Sequence, residues 1–221
     1  MKDVPPVSAV ADVLALRGLD GWLTPPLAPV VAAPQPVAGR ALTLQLDVAE
    51  NGRAGLGGLH ELASRPLGGG VLVLAGGGCV DGAVWGEIMS RAARACGAVA
   101  VLVDGAVRDR VAMAREGLPV YAAGERVVGP RDLVRVRDEG QPVEVAGVRI
   151  APGDLVVADE NGVVRVPAER ADEILEAAGT YAAGEARVLD ALAEGERLVH
   201  GYRHKREVVA GIRRAGIDGG A

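Results

Sequence analysis

The residues best suited to chemistry lie at the ends of two apolar runs. Arg108-Asp109 follows the run Val99–Val103, and Asp81 and Glu87 flank the start of a helix expected over Val84–Cys96. Arginine is a fixed, bidentate donor for a carboxylate. Aspartate is a hard oxygen ligand of the kind Mg²⁺ or Mn²⁺ takes. A helix N-terminus adds unpaired N–H groups and the positive end of a dipole, a seat for an anion. Together these groups would bind a small anion beside a divalent cation. Spacing alone gives equal weight to a plainer reading of Arg108-Asp109, as a surface ion pair or helix cap. Without further context, the plainer roles are favoured for Asp81 (an N-cap) and Glu87 (a surface acid).

The elements that must position these residues can be read from periodicity. Val71–Ala75 is a short apolar run suited to a buried strand, and Gly76–Gly78 ends it. The helix Val84–Cys96 follows, with Val84, Ile88, Ala92 and Ala95 on one face, and Gly97 closes it. Val99–Val103 is the second strand. Residues 71–103 thus spell a βαβ unit with parallel strands. Ligands of open α/β sheets bind outside the carboxyl ends of the strands, so Glu87 and Arg108-Asp109 should face one crevice.

Upstream, Ser8 caps a helix over Ala9–Leu16 that Gly18 closes. Residues 21–39 read as an extended Pro- and Ala-rich loop, Arg40–Leu46 as a strand, Asn51–Gly58 as a turn and Leu59–Ser64 as a helix. Downstream come a helix over Val107–Glu116 and a strand at Leu118–Tyr121. Hairpins follow around Ala146-Gly147 and Asn161-Gly162, the latter expected to need positive φ at both turn residues. From Pro167 to about His204 the pattern is helical, interrupted at Gly179, Gly184 and Gly195. No linker divides the chain, so residues 1–221 read as one α/β domain with a mixed sheet, hairpins and C-terminal helices.

Composition removes several function classes. The 24 Lys+Arg against 29 Asp+Glu leave a net charge of −5, a poor basis for gripping phosphate backbone. Aromatics are 2% with no Phe, too few for a base-stacking platform, so no nucleic-acid partner is expected. Gly76-x-Gly78 and Gly55-x-Gly57 both lack the third glycine of a dinucleotide fingerprint; Asp81 and His60 stand there. There is no P-loop. No apolar run is long enough to span a bilayer, and Asp and Pro break the N-terminus, which argues against a secretory signal. Cys79 and Cys96 have no metal or redox spacing and read as reduced thiols in a cytoplasmic protein. His200 and His204, at i and i+4, and the basic run Arg203–Arg206 with Arg213-Arg214 read as solvated helix residues.

The stretch Gly86–Asp109, GEIMSRAARACGAVAVLVDGAVRD, resembles the signature of the family that joins 4-hydroxy-4-methyl-2-oxoglutarate aldolases with the regulator of ribonuclease activity A. Ala38–Thr43, Leu118–Tyr121 and Pro152–Val164 (PGDLVVADENGVV) are similar to further segments of that family, and Ser8–Leu14 sits where its first helix stands. The resemblance covers nearly the whole chain. It implies a single swivelling β/β/α-type domain assembled as a homotrimer or hexamer. It implies a divalent-metal-dependent (class II) aldolase that cleaves 4-hydroxy-2-oxo acids to pyruvate and also decarboxylates oxaloacetate.

By the same resemblance Gly86, Glu87, Ile88 and Met89 would bind substrate mainly through backbone N–H groups, and Arg108 would bind its keto-acid end. Asp109 would hold Mg²⁺ or Mn²⁺ directly and Glu87 through water, with Glu185 of a neighbouring subunit as a further acid. Ala100 and Ala123 depart from the family, which often has Gly and Arg there. The only lysines, Lys2 and Lys205, are near the termini, which argues against an imine route. Relatives that only regulate RNA degradation share the signature, so a non-catalytic protein that binds a ribonuclease E-type enzyme is the alternative. A quinone methyltransferase has little support, for want of a suitable Gly-rich loop.

Overall fold

Alternating apolar side chains along the central strands give the sheet two buried faces. The computed structural model describes residues 3–23, 27–49, 56–130 and 133–217. In chain order they form α1 (Val7–Leu16), β1 (Ala28–Val31), β2 (Val37–Val48), α2 (Gly57–Leu62), β3 (Val71–Gly77), β4 (Ala83–Trp85), α3 (Glu87–Ala95), β5 (Ala100–Val107) and α4 (Arg110–Glu116). Then come β6 (Val120–Glu125), β7 (Val134–Glu139), β8 (Val143–Val145), β9 (Val148–Ile150), β10 (Leu155–Asp159) and β11 (Gly162–Val166). The helices α5 (Ala171–Ala193), α6 (Leu198–Gly201) and α7 (Arg203–Ile217) complete the mixed α/β fold. Among the described residues no helix is long and apolar enough to cross a membrane.

The main sheet runs β1-β6-β5-β3-β2-β10-β11, with β4 added to β5 and β7 to β2. Strands β2, β3, β5 and β6 are parallel to one another; β10 and β7 pair antiparallel with the two halves of β2. Leu72, Leu74, Val101 and Val103 face one core with Leu59, Leu62 and Met113. Their neighbours Val71, Val73, Ala100 and Leu102 face a second core with Tyr121 and the β8–β9 hairpin. Each such Leu or Val, fully withdrawn from water, contributes about 2 kcal/mol before entropy is counted. A third core joins α1 to β10, β11 and α5.

Several expectations need correction. Residues 21–39 are not one loop: β1 and the start of β2 lie within them, because Ala28–Val31 finds a partner in β6. The expected helix over Val84–Cys96 begins only at Glu87, since Ala83–Trp85 is buried and joins the sheet. Ile88 and Ala95 consequently face solvent, and Ser90 and Ala93 face the core. The hairpin after Asp159 turns on Glu160-Asn161, with Asp159 paired to Gly162, and only Gly162 has positive φ. The helix after Pro167 runs unbroken through Gly179 and Gly184 and stops at Gly195. Residues Asn51–Gly55 of the expected turn lie outside the described residues.

Ser8 is inside α1 and makes no cap. The cap comes from far along the chain: Val7 N–H donates to Asp159 Oδ2 at 2.9 Å, 152 positions away. The other oxygen, Oδ1, accepts Asn161 N–H at 2.7 Å, and Tyr121 donates its hydroxyl to the Asp159 carbonyl at 2.9 Å. Burial pushes the Tyr121 pKa up to about 12, so it stays a neutral donor. Asp154 is buried too, accepting from Arg165, Ala151 and Ala168. Both aspartates of the PGDLVVADENGVV stretch are therefore structural. Asp159→Ala strands a buried N–H at the start of α1 and is expected to cost about 2 kcal/mol. In a chain of this size that is a fall in Tm of roughly 4–8 °C, read by thermal denaturation.

Candidate active site

The site is made where β4 takes over from β3 as the neighbour of β5. Gly77 is the last β3 residue paired with β5, opposite Gly105. A Cβ on Gly105 would lie 2.5 Å from the Gly77 carbonyl carbon, so the glycine of DGAVRD permits the close approach. Beyond it Ala83 pairs with Ala106 and Trp85 with Val107. Parallel pairing brings both chains out at the same end, so Gly86-Glu87 and Arg108-Asp109 emerge side by side. Arg108 N–H donates to the Trp85 carbonyl at 3.0 Å. The buried Trp85 indole donates to Ser90 Oγ at 2.8 Å and ties β4 to the first turn of α3. A side chain at Gly86 would put its Cβ 2.9 Å from Asp109 Oδ2 and 3.2 Å from Arg108 Cγ.

Asp109, two residues past the end of β5, opens α4 in the left-handed region, at φ 62° and ψ 34°. Only one other described non-glycine residue, Ala146, has positive φ. Aspartate tolerates this conformation better than most residues, at a cost of order 1 kcal/mol. Its carbonyl accepts Met113 N–H, but its carboxylate makes no cap to α4. Instead Asp109 Oδ2 lies 3.6 Å from Arg108 Nε, both side chains roughly half exposed. Glu87 lies 3.5 Å from Arg91 one turn on, and Arg91 also holds Glu116 at 2.6 Å.

These groups border a cleft of about 230 Å³. Its charged side is Glu87, Arg108 and Asp109; Leu56, Trp85, Met89 and Pro130 supply apolar surface. The volume is below that of clefts for drug-sized ligands and suits a small organic acid. Glu87 and Asp109 also border an adjoining open groove with Arg110, Arg115 and Glu125.

Gly86, Glu87, Ile88, Met89, Arg108 and Asp109, all expected at the site, come together at this cleft. Ile88 stands at its rim, 81% exposed. Glu185 is not in its lining. It projects from α5 to Lys205 of α7, with Nζ at 2.7 Å. Burial works against the Lys205 charge, yet hydrogen bonds to Glu185 and Tyr181 hold its pKa above the ordinary value. Asp81 caps nothing and pairs with Arg126 at 2.7 Å. Ala123 borders a separate depression with Gly78 and Arg126, so its departure from the family does not touch the cleft. His60, given no role by spacing, lines the cleft. The available signal is its place between core residues Leu59 and Leu62, which turns it outward.

The donor set can be matched to a cation. Among the described residues no three His, Cys, Asp or Glu side chains gather. Asp109 and Glu87 offer two carboxylates. Mg²⁺ keeps several waters and takes one or two carboxylates plus substrate oxygens, so the pair fits Mg²⁺ or Mn²⁺ and not a caged structural zinc.

The class is thus a mixed α/β protein with a small charged cleft at the carboxyl ends of its parallel strands. The chain belongs to the RraA-like family, described as Aldolase/RraA, whose model matches residues 7–165. A Halalkalibacterium halodurans protein named "Putative 4-hydroxy-4-methyl-2-oxoglutarate aldolase" is 28% identical over 200 residues, 90% of each chain. Streptomyces coelicolor RraAS2, described as an unusual member of the RNase ES inhibitor RraA protein family, superposes with TM-score 0.66 and 27% identity. That match covers 85% of this chain and 90% of that one. An uncharacterized Pseudomonas syringae pv. tomato protein superposes with TM-score 0.80 at 27% identity, over 90% and 89% of the chains. Coverage is uneven among curated relatives: the chain spans 21% of the length of Legionella pneumophila Protein DlpA, 29% identical over 128 residues, or 58% of this chain. The family takes in both aldolases and ribonuclease inhibitors.

Proposed function

We propose that this protein is a carbon–carbon lyase that cleaves 4-hydroxy-2-oxo acids, such as 4-hydroxy-4-methyl-2-oxoglutarate, to pyruvate, and that it also decarboxylates oxaloacetate. The observation that carries the reading is the meeting of Arg108 and Asp109 with the Gly86–Met89 turn at one cleft. The first N–H groups of α3, from Glu87, Ile88 and Met89, have no intrahelical acceptor and bind the substrate carboxylate. Arg108 binds the keto-acid end and offsets the negative charge that grows as the pyruvate enolate forms. Both reactions leave that enolate, so one arrangement serves both. Asp109 directly and Glu87 through water would hold Mg²⁺ or Mn²⁺, which when bound supplies Lewis-acid charge at the keto oxygen.

The assembly proposed is a homotrimer or hexamer with the cleft at a subunit boundary. Ile88 at the cleft and Val111 at the adjoining groove, 81% and 65% exposed, support a covered rim there. Glu185 of the partner subunit would then add an acid to the site. A panel of 4-hydroxy-2-oxo acids coupled to pyruvate detection tests the reading. Turnover is expected with Mg²⁺ or Mn²⁺ and is expected to vanish in EDTA and return on adding either ion; no pyruvate from any member of the panel refutes it. The likeness to RraAS2 supports a second reading, a regulator that binds a ribonuclease E-type enzyme without turnover. A pull-down against ribonuclease E beside an oxaloacetate assay separates the two.

A further inference from the structure

Aldol cleavage has a requirement that Arg108 and the two carboxylates leave unmet: a base must take the proton from the 4-hydroxyl. Asp109 lies beside Arg108, and Glu87 lies beside Arg91. Among the described residues, the remaining titratable side chain in the cleft wall is His60. Its position follows from the helix that carries it. Leu59 and Leu62 are 0% and 2% exposed and seat α2 on the core. A Cβ on Gly58 would lie 3.3 Å from Val136, so α2 lies close on β7. With that face fixed, His60 turns outward, and Leu56, one turn before it, lines the same cleft. Among the described residues the His60 ring makes no hydrogen bond or ion pair; its carbonyl accepts the Ser64 hydroxyl. An imidazole can both take and return a proton, as the general base of a cleavage must.

We propose that His60 is the general base of the cleavage, a reading that rests on the aldolase function proposed above. The imidazole removes the 4-hydroxyl proton. The C4–O bond becomes a carbonyl as the C3–C4 bond breaks, and its electron pair passes into the pyruvate enolate beside Arg108. The imidazolium returns the proton to C3, giving pyruvate and leaving His60 as it began. Oxaloacetate has no 4-hydroxyl, so its decarboxylation needs no such base: the C3–C4 bond breaks to release carbon dioxide and the enolate takes its C3 proton from water. His60 therefore separates the two reactions, where Arg108 serves both.

The experiment measures both reactions in the intact protein with Mg²⁺, for wild type, His60→Gln and His60→Ala. Cleavage of 4-hydroxy-4-methyl-2-oxoglutarate is expected to fall about 100-fold in each variant. The ratio of cleavage to decarboxylation is expected to fall at least about 30-fold, and free imidazole to restore cleavage in His60→Ala. A misfolded or merely loosened cleft would lower both reactions together, leave the ratio unchanged and overturn the assignment, as would full cleavage activity in both variants. Wild type that releases no pyruvate from either substrate sinks the aldolase reading itself, and the role of His60 with it. Wild type that works while the ratio holds sinks the role of His60 alone.

Discussion

Arg108→Ala is expected to lower pyruvate release from 4-hydroxy-2-oxo acids and from oxaloacetate by at least about 100-fold. The size follows from what surrounds the guanidinium. Arg91 is engaged by Glu87 and Glu116, and Arg110 lies 3.7 Å from Glu125, so these two cations already have carboxylate partners. The charge it answers develops on the way to the enolate, so the loss belongs mainly in kcat. Stability should change little, by less than about 1 kcal/mol, because the side chain is roughly half exposed and its ion pair with Asp109 is screened. Steady-state kinetics beside a thermal melt would read both. Near-full activity on every oxo acid would remove Arg108 from the mechanism.

Asp109 should show activity and stability moving separately. Asp109→Ala and Asp109→Gly both delete the carboxylate proposed to hold the cation, and each is expected to lose at least about 100-fold in activity. Their stabilities should differ. The position sits at φ 62°, which glycine adopts freely and alanine does not. The glycine variant is therefore expected to be about 1 kcal/mol more stable than the alanine variant. A denaturant titration of the pair against wild type measures the difference. If the glycine variant kept wild-type turnover, the carboxylate would have no part in the chemistry.

Much of the scaffold around these residues was legible before any tertiary contact. Val71–Ala75 and Val99–Val103 read as buried strands because an unbroken apolar run has no polar face to show to water. The turn glycines, the two hairpins and the long helix after Pro167 carry their signals within a few residues. That Gly86–Met89 and Arg108-Asp109 would meet at one cleft could be read from the strand ends and from a resemblance in motif. The start of α3 is not legible because Ala83–Trp85, at three residues, is too short a run to read as a strand; pairing with β5 makes it one.

The sequence by itself determined the α/β class, the βαβ core and the identity of the charged groups at its end, since local periodicity and turn chemistry decide these. The tertiary structure alone decided that Asp159 caps α1, that Glu185 meets Lys205, and that His60 joins Arg108 and Asp109 at one cleft. Each of those relations joins residues distant in the chain, and no local propensity encodes which buried donor will meet which acceptor. That is settled only when β4 and β5 pair and α2 packs down, fixing the direction of every side chain between them.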